Sequence, residues 1–419
     1  MYKTNLLSFI NSRSRLSLAE KQGGMLCSLQ SRRFLSTTKK DALLFTPGPL
    51  TTSATVKSAM LRDAGSRDPN FLEVVRQVRK GLLSIGGVKS SSDGGSYECV
   101  ITQGSGTFGV ESVIGSIVPK TGGKLLVASN GAYGDRMVKI AKVLGIPVDF
   151  ISFHERGPVD VNKVLARVKN DSATTHVAVV HHETTAGVLN DVHALGVGLR
   201  QHNPKLTYIV DSMSAFGAYP VHLEKSNIHF LVSSSNKCIE GVPGFSYTLA
   251  SRERLEASKN NARSLSLDLY EQWRGLEATG EFRFTPPVHA LLAFRQALVE
   301  LEEHGGAPGR LARYQNNAKT LVDGMKALGF SPYVGESNQG CIITTFLVPE
   351  DPKFNFKTVY NKLEERGFVI YPGKTTKAES FRLGSIGRLY DHDMRAVVQA
   401  LKEVLIETGV SLPVVQKKE

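Results

Sequence analysis

A chain of 419 residues with 41% hydrophobic and 21% charged residues, 39 Gly and 17 Pro has the composition of a globular protein of two or three domains, at roughly 100–200 residues per domain. No run approaches the ~18 consecutive apolar residues of a spanning helix, so no membrane-embedded segment is expected. The net charge of +12 is uneven: residues 1–40 carry eight basic residues against Glu20, a balance of +7, leaving +5 for residues 41–419. With no basic stripe interleaved with aromatics, nucleic acid is not an expected partner. Cys27, Cys99, Cys238 and Cys341 share no CxxC spacing, so neither a disulfide framework nor a zinc cage is expected and a reducing compartment fits.

In chain order, residues 1–40 are rich in Ser and Arg and nearly free of acids, with an amphipathic stretch around Leu6 to Leu18. This is the composition of a mitochondrial transit peptide, and it predicts a matrix location with the mature chain starting between about residue 35 and residue 41. Beyond Leu43, short β-branched runs alternate with helical patterns. The runs Glu98–Thr102, Lys124–Ser129, Val148–Ser152, His176–His181, Thr207–Asp211, His229–Ser234 and Phe245–Ala250 predict an α/β fold with a seven-stranded, mostly parallel sheet. A helix over Pro287–His304 follows. Then fewer strands (Cys341–Val348, Phe368–Tyr371, Ser380–Leu383) and helices around Leu311–Leu328, Phe356–Glu365 and Asp391–Glu407 predict a smaller α+β domain. The expected division is leader 1–40, large domain 41–300 and small domain 301–419.

Three segments carry chemistry. Gln103-Gly104-Ser105-Gly106-Thr107-Phe108-Gly109 sits between a predicted strand and helix, where free N–H groups and the helix dipole suit a phosphate. It matches GxGxxG, but a nicotinamide site needs an acid at the end of the next strand, and that strand ends Ser129-Asn130-Gly131. Asp211 ends a buried strand, where it could serve a site or cap a helix. Lys237, in Ser235-Asn236-Lys237-Cys238, ends the next strand; most lysines are solvated, yet this one falls at the same sheet edge. A phosphate cup, an acid for a ring nitrogen and an amine able to form a Schiff base are the parts of a pyridoxal phosphate site.

The body resembles the class V, fold-type I, pyridoxal-phosphate-dependent aminotransferases. The likeness runs from Thr46-Pro47-Gly48-Pro49 through Gln103–Gly106, Ser129–Gly134, His182–Thr185, Val210–Ser214, Ser235–Ile239, Arg263–Tyr270 and Val369–Lys374 to Phe381–Gly384. It implies that Lys237 holds the cofactor and moves a proton, and that Asp211 pairs with its ring nitrogen. It further implies that Tyr133 stacks on the ring, Ser105, Gly106 and Thr107 bind the phosphate, and Thr184 lies by the ring hydroxyl, with Asn236 also against the cofactor. Segment 41–60 would reach the active site, with Gly48 and Arg382 binding substrate, since a guanidinium pairs bidentately with a carboxylate or a phosphonate. Thr285 would reach the phosphate in a neighbouring subunit, making the protein a homodimer. The Arg263–Tyr270 and Val369–Lys374 runs point to the branch acting on 2-aminoethylphosphonate and pyruvate, giving phosphonoacetaldehyde and L-alanine. An alanine–glyoxylate or serine–pyruvate aminotransferase is the alternative. His181 and His182, facing opposite ways on a strand, are read as packing and turn residues, with no metal expected.

Overall fold

The computed structural model describes residues 41–375 and 378–416. From Ala42 onward the chain forms one compact unit. Its centre is a sheet of seven strands: β1 (Tyr97–Gln103), β2 (Leu125–Ser129), β3 (Val148–Ser152), β4 (His176–Val180), β5 (Thr207–Asp211), β6 (Phe230–Ser234) and β7 (Phe245–Ser251). Their order is β1-β7-β6-β5-β4-β2-β3. All neighbours are parallel except β7, which runs antiparallel to both β1 and β6. Strands β2, β4, β5 and β6 are buried throughout, and their Val, Ile and Leu content follows from burial on both faces. Edge strand β3 is only partly covered and carries Asp149. The α/β class and the predicted strands hold, with ends shifted by a residue or two.

Helices connect the strands and start where the sequence supplies caps. Asp68 accepts from Asn70 N ahead of Pro69 in α1 (Pro69–Ile85); Asp160 and Asp191 do the same for α4 (Val161–Asn170) and α5 (Val192–His202), as Ncap oxygens do for free N–H groups. Between them lie α2 (Gly106–Ile117), packed on β6 and β7, and α3 (Ala132–Val143), packed on β2. Then come α6 (Leu269–Ala278), α7 (Val288–Glu303) and α8 (Gly306–Ala327). Helix α8 begins five residues before its predicted start, because Gly305, at φ +85°, turns the chain directly into it.

A second apolar core gathers Phe45, Leu321, Phe330, Phe346, Phe381 and Leu401. It lies on a three-stranded antiparallel sheet in which β10 (Ser380–Gly384) sits between β8 (Ile343–Leu347) and β9 (Tyr371–Pro372). Helices α9 (Phe356–Glu365) and α10 (Asp391–Glu407) complete this part. Leu43–Leu44 pairs in parallel with Phe368–Val369, and Gly384 N donates to Phe45 O at 2.9 Å. The N-terminal segment is thereby stitched to the C-terminal part of the chain, and Thr46–Pro49 continues from it towards Lys237.

Candidate active site

Parallel strands end on one edge, and open α/β sheets build sites there. The register places Val180, Asp211 and Val232 side by side at that edge. Ser105–Thr107, Tyr133, Arg136, His182, Thr184, Asp211, Met213, Asn236 and Lys237 border one cavity of about 270 Å³.

At one end, Ser105 is the Ncap of α2 but makes no capping bond with its side chain, so its hydroxyl is left for the cavity. Arg136 Nη1 donates to Thr107 Oγ1 at 3.0 Å, adding a cation to the N–H groups and dipole of the helix start, a combination that suits an anion. Gly106 packs closely on Met213: a Cβ there would stand 2.5 Å from Met213 Sδ and displace that side chain. The sequence reading missed Arg136. Its signal is its place one turn beyond Tyr133 on α3, where i and i+3 share a face.

Asp211 forms the wall. It is buried, and its Oδ1 accepts from Met213 N at 3.0 Å. Burial pushes its carboxyl up to about 6, with the nearby Glu183 carboxylate adding to the rise and the Met213 N–H opposing it. Glu183, also buried, accepts from Tyr133 N and Gly134 N at 3.2 and 3.3 Å and from Thr185 Oγ1 at 2.6 Å. It therefore fixes the start of α3, and with it Tyr133 and Arg136.

Lys237 lies on the turn after β6, where Glu240 N donates to Lys237 O at 2.7 Å. Its Nζ donates to Pro47 O at 2.6 Å. Burial lowers its affinity for a proton, although Tyr133 and Asp211 pull the other way. Gly48, at φ +127°, presses its backbone on this side chain: a Cβ there would meet Nζ at 2.8 Å. Asn236 borders the cavity beside the lysine. Behind the turn, Arg310 Nη1 donates to Cys238 O at 2.6 Å and lies 3.1 Å from Glu240 Oε1, which also accepts from Tyr314 OH at 2.7 Å.

Arg382, on β10, is buried; its Nε donates to Pro372 O at 3.0 Å and its Nη1 to Thr184 O at 2.9 Å. The Tyr133 hydroxyl lies within electrostatic reach of Thr184, Lys374 and Arg382. Its ring has the Lys374 ammonium 3.8 Å and the Arg136 guanidinium 4.8 Å from its centre. Thr285 stands apart: it is exposed, and its carbonyl accepts from Gln103 Nε2 at 3.2 Å. His181 Nδ1 bonds with Ser212 Oγ at 3.0 Å, whereas His182 stacks on Tyr219 with ring centres 6.0 Å apart.

Comparison with known proteins places this geometry. Residues 52–387 match the family described as Aminotransferase class-V. A 2-aminoethylphosphonate–pyruvate transaminase of Syntrophobacter fumaroxidans is 45% identical over 88% of this chain and 97% of its own length. One of the same name from Bacillus cytotoxicus is 47% identical over 87% and 98%. The crystal structure of ureidoglycine–glyoxylate aminotransferase from Bacillus subtilis superposes with a TM-score of 0.80 at 20% identity, covering 90% of this chain and 96% of that one, a likeness of fold.

These relatives overturn one expectation. They come from bacteria, cells without a mitochondrial matrix, so the likeness carries no such address, and residues 1–40, on which the mitochondrial reading rested, lie outside the described residues. The cofactor expectation stands: an anion-binding helix start with an unspent Ser105 hydroxyl, a buried carboxyl on the wall and a buried primary amine together fit pyridoxal phosphate. With its sheet, cavity and relatives all in agreement, the chain belongs to the class-V aminotransferases, pyridoxal-phosphate enzymes of fold type I.

Proposed function

We propose that the protein transfers the amino group of 2-aminoethylphosphonate to pyruvate, yielding phosphonoacetaldehyde and L-alanine. The observation that carries this reading is an amine and a carboxyl bordering one cavity, with the Arg382 guanidinium held by the carbonyl of the lining residue Thr184, in a chain 45–47% identical to transaminases of that name.

Pyridoxal phosphate, when bound, supplies an aldehyde for a lysine amine and an electron-accepting ring. Ser105, Gly106, Thr107 and Arg136 would hold its phosphate and Thr184 its ring hydroxyl, with Tyr133 and Asn236 against the ring. Asp211 holds negative charge where the ring nitrogen would lie, and a cation there draws its carboxyl back down from the raised value that burial imposes. Lys237 Nζ, with its proton affinity reduced by burial, takes a proton from the substrate carbon that bears nitrogen and returns it elsewhere. Gly48 keeps room for that movement. Arg382, its plane set by two carbonyls, receives the acidic end of donor and acceptor in turn.

We also assign the homodimer here, and place the large part at 41–300 and the small one at 301–419. Phe108, Leu265 and Phe284 are exposed on segments joined to one another, Gln103 Nε2 donating to Phe284 O and Arg283 Nη1 to Leu265 O, both at 3.0 Å. Such a patch beside the phosphate end suits a second copy, and Thr285 lies within it.

The test is the near-visible spectrum of cofactor-loaded protein before and after 2-aminoethylphosphonate without acceptor, beside Lys237→Ala. Conversion by the wild type, restored by pyruvate and absent in the variant, supports the reading. A response to alanine or serine alone moves the protein to the alanine–glyoxylate or serine–pyruvate class.

A further inference from the structure

Both half-reactions must present an acidic group to one pocket, yet the two groups differ. A carboxylate carries one charge on two oxygens. A phosphonate has three oxygens and, like a phosphate ester whose second pKa is roughly 6, between one and two charges near neutral pH. A single guanidinium fork matches the first. Arg382 carries one positive charge and has spent Nε and one Nη1 donor on the Pro372 and Thr184 carbonyls, so by itself it matches neither the second charge nor all three oxygens of a phosphonate.

The structure holds another cation at the same place. Lys374, two residues beyond Pro372 on the segment leaving β9, is partly buried, with its ammonium 3.8 Å from the centre of the Tyr133 ring. The Arg382 guanidinium also lies within electrostatic reach of the Tyr133 hydroxyl, so the two cations converge on one phenol bordering the cavity. A protein gains little by concentrating positive charge around a neutral ring unless an anion comes to share it. The tie to Tyr133 is also easily exchanged, because a lysine is a point charge on a flexible stem that can swing to a new oxygen while the planar Arg382 stays fixed.

We propose that Lys374 is a specificity-determining residue, the second cation for the substrate's acidic end, and that it makes the site prefer a phosphonate to a carboxylate. This rests on the aminophosphonate reading above. Arg382 binds both groups, and Lys374 adds its charge mainly for the one with a third oxygen and a second charge.

The test uses unreactive probes, so that binding is read apart from turnover. Ethylphosphonate and propionate are titrated calorimetrically into cofactor-loaded wild type, Lys374→Met and Lys374→Arg at pH 6 and 8. Wild type should favour ethylphosphonate, more so at pH 8. Lys374→Met should weaken ethylphosphonate tenfold or more, propionate less than threefold, and lose the rise with pH; Lys374→Arg should keep the preference. Equal weakening of both probes, or an unchanged preference in Lys374→Met, overturns the role of Lys374 and leaves the aminophosphonate reading in place. A wild type with no preference for ethylphosphonate counts against that reading itself.

Discussion

Asp211 shows how one buried charge serves function at the expense of stability. Its carboxyl is raised from 3.8 to about 6 by burial. A raised acid is favoured by folding only in its protonated form, so its contribution is full at low pH and declines as pH climbs from about 4 through about 6. Above that the folded state holds an unwelcome charge, costing on the order of 3 kcal/mol at 1.36 kcal/mol per unit. Asp211→Asn should therefore melt higher than wild type as cofactor-free protein at pH 7 while its kcat falls by about 10²–10³. Thermal melts with matched kinetics check both halves. Arg136→Met should weaken cofactor retention roughly tenfold, the loss of one charge-assisted bond, seen as cofactor released on dialysis while the far-ultraviolet spectrum stays native.

The turn after β6 owes its shape to a helix far away in the chain. Glu240 has φ +66°, a conformation that a non-glycine residue seldom keeps unaided. Arg310 and Tyr314 from α8 hold it and the adjacent Cys238 carbonyl. Arg310→Met would leave Glu240 with Arg313 and Tyr314 but take away one buried cation and the bond to the Cys238 carbonyl, and the penalty should be about 2 kcal/mol in urea unfolding. It should also lower kcat, since Lys237 is one residue from that carbonyl. A variant that is destabilised yet fully active would uncouple the helix from the lysine.

Over the whole molecule, acid sensitivity should come from histidines. Burial lowers His176, His181 and His229 to about 4 and His182 to about 3, from an ordinary 6.5. Unfolding lets each take a proton that the folded state refuses. Stability is therefore present above pH 6.5 and is lost as pH falls towards 4, with a slope approaching about 5.6 kcal/mol per pH unit if all four act, at roughly 1.4 each. Asp211 opposes this with a single group. Urea midpoints at pH 7, 6 and 5 should fall steeply, and a flat profile would exclude the histidines as the cause.

The local elements and the sheet-edge residues were determined by sequence alone. Strands buried on both faces must be short apolar runs, caps are drawn from small polar residues such as Asp, Asn and Ser, and the residues at or just past the ends of those strands, Ser105, Asp211 and Lys237, reach one edge whenever the strands are parallel. What periodicity does not encode is which distant segments meet. Pairing of Leu43–Leu44 with Phe368–Val369 brings Pro47 and Gly48 onto Lys237, and folding of β9 against β10 brings Lys374 and Arg382 to Tyr133. Those contacts join residues nearly two hundred positions apart or more, so only the packed tertiary structure, through burial and long-range hydrogen bonds, could decide them.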